Sequence, residues 1–153
     1  MKTITSIIIS ILMCSAHAQI SIEPIGTDAP SIQENRSKQV IMLTAPWCKW
    51  CERMKSEITE NKELNSYLME YRFSYLNVES KQEIVFGNKT FRSNFNGYHE
   101  LAEALNGGPK IVLPTLVILN DRNEIIYDHR GYMTQDELLL ILRSNKEEDS
   151  SKK

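Results

Sequence analysis

Cys48 and Cys51 are separated by two residues, and cysteines with this spacing can cycle between a dithiol and a disulfide. They follow an apolar run at residues 40–44 and precede a stretch with helical periodicity. The pair is therefore expected at the junction between a strand and a helix. A sulfur at the start of a helix lies near unsatisfied backbone N–H groups and the positive end of the helix dipole, which stabilise a thiolate. These two residues thus predict redox chemistry.

The beginning of the chain has the order of a secretory signal peptide. Lys2 precedes an apolar run at residues 4–13, and the small-x-small sequence Ala16-His17-Ala18 follows it. The run is about ten residues long, whereas a helix that spans a bilayer needs roughly twenty. We therefore predict a signal peptide at residues 1–18, cleaved after Ala18, and a mature protein that is periplasmic or otherwise secreted.

The third cysteine, Cys14, belongs to this predicted signal peptide. Its removal leaves Cys48 and Cys51 as the only cysteines of the mature chain, in a compartment where disulfides persist. An alternative interpretation makes Cys14 a lipidated amino terminus. Met13 is bulkier than the small residue that such processing prefers before the cysteine, so cleavage after Ala18 is the favoured interpretation.

Two other interpretations of the cysteine pair are weaker on physical grounds. Structural zinc usually takes four Cys or His ligands, and neither His99 nor His129 has metal-motif spacing to the pair. A purely structural disulfide would close so short a loop that it would constrain the unfolded chain little. We therefore predict no metal site and interpret both histidines as ordinary surface or strand residues.

Length and charge fit a single domain. About 135 residues remain after the predicted cleavage, within the usual range of one domain. The net charge is −2 and the charges are spread along the chain, without the clustered basic residues of a nucleic-acid surface. We divide the mature chain into an N-terminal extension at residues 19–37, a domain at 38–144 and a disordered charged tail at 145–153.

Hydrophobic periodicity predicts the elements that position the pair. The apolar run at residues 40–44 predicts a buried strand, and Trp50, Met54 and Ile58 recur at helical spacing after it. Gly87-Asn88 between two β-rich segments predicts a hairpin, which we interpret as part of an insertion near residues 80–96. The other predicted elements are helices at 62–71 and 98–105, strands at 72–79, 116–119 and 124–129, and a final helix that begins at the capping box Thr134 to Glu137.

The segment Ala45-Pro46-Trp47-Cys48-Lys49-Trp50-Cys51, Pro114 before a buried strand, Gly131 after a hairpin and the closing helix resemble the thioredoxin-like superfamily. The resemblance covers residues 38–144. Within the superfamily, the segment is similar to exported single-domain thioredoxin-like proteins and to the soluble redox domains of membrane thiol:disulfide interchange proteins. The resemblance implies an α/β thioredoxin fold, with a central mixed sheet flanked by helices.

The resemblance also implies a role for each residue near the pair. Cys48 would be the nucleophile, and Cys51, one turn into the helix, would be the buried thiol that resolves a mixed disulfide on Cys48. Lys49 would tune the pair, because a cation beside the nucleophile lowers its pKa. Trp47 and Trp50 would shield the sulfurs and bind substrate, although the helical spacing of Trp50 is equally typical of a core residue.

Pro114 resembles the superfamily's cis-proline, which lies opposite the cysteine pair and places the backbone of Leu113 where a substrate strand can pair with it. Two departures from thioredoxin alter the expected reduction potential without fixing its direction. Thioredoxin has a buried carboxylate six residues before its first cysteine, where it helps to take the proton from the resolving thiol, and this position is Met42 here. The Gly-Pro pair between its cysteines is replaced by Lys49-Trp50.

The leading hypothesis is an exported thiol:disulfide oxidoreductase that acts mainly as a reductant and needs no cofactor beyond the Cys48-Cys51 couple. Its partners would be exported proteins with thiols or disulfides and a membrane or soluble thiol electron partner. No nucleic acid and no permanent membrane span are expected. Two alternatives remain open: a thioredoxin-fold chaperone or assembly factor that binds peptide between the motif and Pro114, and a metal carrier.

Overall fold

The computed structural model describes residues 23–24 and 38–150. The predicted signal peptide, most of the predicted N-terminal extension and residues 151–153 lie outside these ranges, so the predictions for them stay predictions.

Seven strands lie in the described part of the chain, and five of them form one sheet. The strands are β1 (Glu23–Pro24), β2 (Gln39–Thr44), β3 (Arg72–Asn77), β4 (Ile84–Phe86), β5 (Lys89–Phe91), β6 (Thr115–Leu119) and β7 (Ile125–Arg130). The sheet has the order β1-β3-β2-β6-β7. β1 and β2 run parallel to β3, whereas β6 runs antiparallel to β2 and β7 antiparallel to β6. The central sheet is therefore mixed, as the resemblance implies.

The central strand β2 is buried at every residue. Because successive side chains of a strand point to opposite faces, this burial means that both faces of the sheet are covered here, which explains the continuous apolar run. Leu43 of β2 pairs with Thr115 of β6, so the last residues of β2 and the first residues of β6 lie side by side at one end of these strands. Cys48 follows β2 and Pro114 directly precedes β6. The topology thus brings the cysteine motif and the proline to the same end of the two neighbouring strands.

The helices are α1 (Lys49–Glu60), α2 (Lys62–Leu68), α3 (Glu100–Asn106) and α4 (Gln135–Ser150). Local signals explain several of their ends. Gly107 ends α3 with a φ of +75°, a left-handed conformation that glycine adopts without steric cost. Before α4, the backbone N–H and the hydroxyl of Thr134 donate to the Glu137 carboxylate, which is the predicted capping box. Among the described residues, no helix combines the length and apolar character needed to cross a membrane.

The last helix corrects one prediction. Residues 145–150, predicted to be part of a disordered tail, are helical because α4 continues to Ser150. Lys146 pairs with Glu70 at 2.7 Å, and the Lys38 ammonium donates to the carbonyl of Asn145. Contacts from other elements therefore stabilise a part of the helix that has no apolar residue to bury.

The predicted hairpin is present as a separate two-stranded sheet of β4 and β5. Gly87 in its turn has a φ of +58°, which accounts for glycine at this position. A cavity of about 460 Å³ lies beside the hairpin, lined by side chains of both strands and of α3, among them Phe86, Phe91 and Leu101.

Candidate redox site

Cys48 and Cys51 form a disulfide, with their Cα atoms 5.2 Å apart. Cys51 is fully buried, whereas Cys48 is 5% exposed, so solvent reaches only the first sulfur-bearing residue. A nucleophile must be reached by its substrate, but a resolving thiol needs to reach only its partner cysteine. The roles of the two cysteines remain predictions, and this difference in exposure favours Cys48 as the nucleophile.

Cys48 occupies the N-cap position of α1. Its backbone is extended, and its sulfur accepts a hydrogen bond from the backbone N–H of Cys51 at 3.1 Å. The sulfur thus takes the place of the side-chain oxygen that usually caps a helix. After reduction, a negative charge on this sulfur would face an N–H donor and the positive end of the helix dipole. In the reduced protein, this geometry would favour the thiolate over the thiol at Cys48.

The two tryptophans of the motif lie on the surface. Trp47 is 60% exposed and Trp50 is 55% exposed. The buried residues of α1 are Cys51, Met54 and Ile58, so the interpretation of Trp50 as a core residue is wrong. The indole N–H of Trp47 donates to the Glu79 carboxylate at 2.9 Å. The cysteine pair is thus bordered by two exposed indole rings, and Lys49 is exposed between them.

Trp50 belongs to a cluster that the sequence did not reveal, formed with Arg53, Glu57 and Tyr132. The Tyr132 hydroxyl donates to the two carboxylate oxygens of Glu57 at 2.8 and 2.6 Å, and Arg53 Nε donates to the same carboxylate at 3.0 Å. These bonds lower the pKa of Glu57, with the bond from Tyr132 as the main cause and the bond from Arg53 next. The bond to Glu57 in turn raises the pKa of Tyr132. We call these four residues the Glu57 cluster.

The peptide bond between Leu113 and Pro114 is cis, as the resemblance implies. The backbone N–H of Gly131 donates to the carbonyl of Pro114 at 2.7 Å, which ties the segment before β6 to the end of β7. Leu113 is half-buried at this end of β6. The structure therefore brings Pro114 and Gly131 together, and the substrate-binding role of Leu113 and Pro114 stays a prediction.

Asn106 shapes the loop that leads to Pro114. Its side chain is almost completely buried, 2% exposed, and its amide donates to the carbonyls of Gly108 and Lys110 at 3.1 and 2.9 Å. Its carbonyl oxygen accepts from the backbone N–H of Val112 at 3.3 Å. One side chain thus satisfies three backbone groups of the loop. The sequence signal for this role was a polar residue, Asn106, at the end of an otherwise apolar face of α3.

Met42, six residues before Cys48, is fully buried, and its neighbours in the sheet are Tyr75 of β3 and Leu116 of β6. The Tyr75 hydroxyl is buried and has no hydrogen-bond partner among the described residues. Burial raises the pKa of Tyr75 to about 12, and the nearby charge of Glu52 contributes to the increase. The Lys55 ammonium lies 5.0 Å from the centre of the Tyr75 ring. The two strand neighbours of Met42 are therefore a neutral phenol and a leucine, and the charges of Glu52 and Lys55 near the Tyr75 ring lie on α1.

The histidines take no part in a metal site within the described residues, where no three His, Cys, Asp or Glu side chains are grouped to hold a metal ion. The interpretation of His99 as a surface or strand residue is wrong, because it is fully buried. Its Nδ1 accepts from the backbone N–H of Leu101 at 3.2 Å and caps α3, while its Nε2 lies 2.9 Å from the carbonyl of Gln82. His99 therefore joins the inserted segment to α3.

Comparison with known proteins gives one family match. The family model of the thioredoxin-like domain matches residues 26–146. No match was found among curated proteins.

Solved structures show the same fold. A thioredoxin-fold protein from Helicobacter pylori superimposes with a TM-score of 0.60 at 25% identity, covering 82% of this chain and 78% of that one. A disulphide isomerase from Xylella fastidiosa has a TM-score of 0.52 at 14% identity, with 72% and 79% covered. Thioredoxin f2 from Chlamydomonas reinhardtii has a TM-score of 0.50 at 18% identity, with 74% and 82% covered. The predicted thioredoxin fold is confirmed.

Proposed function

Because the chain belongs to the thioredoxin-like domain family, we propose that it is an exported thiol:disulfide oxidoreductase that reduces disulfides in other exported proteins. The observation that carries the proposal is the Cys48–Cys51 disulfide at the beginning of α1, with the first sulfur as the helix cap and the second fully buried. The signal-peptide order at residues 1–18 supports export.

The reaction proceeds in two thiol exchanges. The Cys48 thiolate attacks one sulfur of the substrate disulfide, a mixed disulfide forms, and the first substrate sulfur leaves as a thiolate. The Cys51 sulfur then attacks the Cys48 sulfur, closes the disulfide seen in the structure and releases the second substrate sulfur, while the proton of the Cys51 thiol passes through solvent to that leaving group. Two electrons move from the pair to the substrate, and a thiol electron partner restores the dithiol.

Substrate binding uses the surface around the sulfurs. In the proposed complex, an extended segment of the substrate polypeptide lies between the exposed rings of Trp47 and Trp50 on one side and the backbone of Leu113 on the other. The aromatic rings offer apolar contact area, and a backbone next to a cis-proline offers strand-like hydrogen bonds. This arrangement suits a polypeptide better than a small disulfide.

Insulin reduction by the mature protein with a dithiol donor tests the activity. Wild-type protein should accelerate the reaction, and Cys48→Ser should abolish the acceleration. Cys51→Ala should retain Cys48 in mixed disulfides, which can be recovered from the exported compartment and identified. A wild-type protein that cannot cycle with any dithiol donor would refute the oxidoreductase proposal.

Two further measurements test direction and location. Equilibration with glutathione should give a reduction potential near that of reducing thioredoxins, about −270 mV, whereas a value near about −120 mV would make the protein an oxidant. Mass spectrometry of the mature amino terminus should find Gln19, and a diacylglyceryl group on Cys14 would replace the soluble exported protein by a lipid-anchored one.

The exposure of Trp47 and Trp50 also favours a second candidate, a peptide-binding assembly factor in which redox cycling is incidental. In this case a variant with both Cys48→Ser and Cys51→Ser should still suppress aggregation of an unfolded client at wild-type concentration. If this variant loses both the suppression of aggregation and the reduction of insulin, the oxidoreductase proposal is preferred.

A further inference from the structure

Glu57 and Tyr132 connect two distant parts of the chain next to the redox pair. Glu57 lies in the third turn of α1 and Tyr132 lies between β7 and α4, 75 residues further along. The two hydrogen bonds of 2.6 and 2.8 Å reach both oxygens of the carboxylate and fix its orientation. The connection therefore holds the loop after β7 against the motif helix.

The same connection restricts the ring of Trp50. The Tyr132 ring lies 5.2 Å from the Trp50 ring, centre to centre, at an interplanar angle of 49°. The Arg53 guanidinium, held by Glu57, lies 5.8 Å from the centre of the Trp50 ring and 5.2 Å from that of Tyr132. Trp50 is thus contacted on one side by a tyrosine and a cation while 55% of it stays exposed. An exposed aromatic ring with restricted motion is suited to binding.

The loop that carries Tyr132 also contacts the segment that precedes β6. Gly131, directly before it, donates its N–H to the carbonyl of Pro114 at 2.7 Å. A chain of contacts therefore runs from Glu57 through Tyr132 and Gly131 to Pro114. It joins the helix that bears the sulfurs to the segment that would pair with substrate.

We propose that Glu57 and Tyr132 are positioning residues that hold Trp50 as a fixed wall of a subsite for an apolar or aromatic side chain next to the substrate's disulfide. The proposal rests on the proposed function and specifies its substrate class as extended polypeptides with such a side chain. A fixed ring loses less conformational entropy on binding than a mobile one, which is worth about threefold to tenfold in affinity. A small disulfide does not reach the subsite and gains nothing from it.

The test compares Tyr132→Phe with Tyr127→Phe, a matched control because Tyr127 lies in β7 outside the Glu57 cluster. Three disulfide substrates separate binding from chemistry: a peptide with Phe beside its cysteine, the same peptide with Gly there, and hydroxyethyl disulfide. Tyr132→Phe should raise the KM for the Phe peptide about fivefold. Its kcat, its turnover of hydroxyethyl disulfide and all constants of Tyr127→Phe should stay at wild-type values.

A second variant and a spectroscopic readout keep the test independent of folding. Glu57→Gln keeps an acceptor for Tyr132 but loses the charge that holds Arg53, so its KM for the Phe peptide should lie between those of wild type and Tyr132→Phe. In a Trp47→Phe background, Trp50 is the only tryptophan, and its fluorescence anisotropy should decay faster in Tyr132→Phe. Unchanged anisotropy decay, or an equal change in KM for all three substrates, would overturn the positioning role. A wild-type protein inactive on every disulfide would instead overturn the proposed function.

Discussion

Tyr75→Phe removes a buried hydroxyl that has no hydrogen-bond partner among the described residues, while it leaves the aromatic ring in place. The Tyr75 ring packs against the ring of Phe73 at 5.1 Å and lies under the Lys55 ammonium, and both contacts are available to phenylalanine. A buried polar group without a partner costs about 1–3 kcal/mol. We therefore expect the substitution to raise the free energy of unfolding at pH 7, by about 1 kcal/mol.

The same substitution should change the dependence of stability on alkaline pH. Burial, with a smaller effect of Glu52, raises the pKa of the Tyr75 phenol from 10.0 to about 12. The folded state therefore favours the neutral phenol, and this stabilisation is complete below pH 10 and is lost as the pH rises from 10 to about 12. The whole difference corresponds to about 2.7 kcal/mol, of which about 1.4 is lost by pH 11. Because the side chain is partly exposed, solvent screening reduces the loss expected by pH 11 to about 1 kcal/mol.

Urea unfolding of the oxidised protein at pH 7 and pH 11 measures both effects. Tyr71→Phe is the matched control, because the buried Tyr71 hydroxyl donates to the carbonyl of Leu142 at 3.1 Å. It should lower the free energy of unfolding by about 1–2 kcal/mol, the opposite sign to Tyr75→Phe. If Tyr75→Phe destabilises the protein at pH 7 by as much as the control, the hydroxyl has a partner and the reasoning is wrong. If Tyr75→Phe loses as much stability between pH 7 and pH 11 as the wild-type protein does, the pKa argument is contradicted.

Three further predictions concern Lys49, His99 and Asn106. Lys49→Glu reverses a charge beside the Cys48 sulfur and should slow its alkylation by iodoacetamide at pH 7 about threefold to tenfold; an unchanged rate would exclude tuning by Lys49. His99→Ala should cost about 2–4 kcal/mol in urea unfolding and His99→Asn, which keeps a capping group, clearly less; equal losses would contradict the capping role. Asn106→Ala should lower kcat/KM for insulin about tenfold in a folded protein, since the loop before Leu113 loses three hydrogen bonds, and wild-type activity would argue against positioning of this loop.

The elements that could be predicted from the sequence are those with local signals. A continuous apolar run indicated β2, because a strand covered on both faces needs no polar side chains. Gly87-Asn88 indicated the hairpin, and Gly87 has the positive φ that glycine adopts readily in such a turn. The beginning of α4 followed from the capping box of Thr134 and Glu137. In each case the residues that carry the signal lie within about four positions of the feature they produce.

The features that could not be predicted depend on residues far apart in the chain. Tyr132 meets Glu57 across 75 positions, and nothing in either local sequence indicates the other. The burial of His99 depends on the inserted segment that supplies Gln82 as its neighbour. Residues 145–150 contain no apolar side chain, so periodicity indicated disorder, whereas contacts with Glu70 and Lys38 accompany a helix there.

Three groups of side chains lie along different sides of the helix α1. At about 100° per residue, Cys51, Met54 and Ile58 form one stripe, and the structure buries all three in the core. Trp50, Arg53 and Glu57 form a second stripe on one side of it, which meets Tyr132. Glu52 and Lys55 form a third stripe on the opposite side, which meets Tyr75.

The two flanking stripes therefore lie on opposite sides of Cys51. Under the proposed function, a change at Tyr132 should alter substrate binding, whereas a change at Tyr75 should alter the packing between α1 and the sheet. Because Tyr75 and Tyr132 share no hydrogen-bond, ring or cation partner among the described residues, their effects on the free energy of unfolding should add in the double variant to within about 0.5 kcal/mol. A larger deviation would mean that the two positions are energetically coupled, and α1, which contacts both tyrosines, is the element that would carry this coupling.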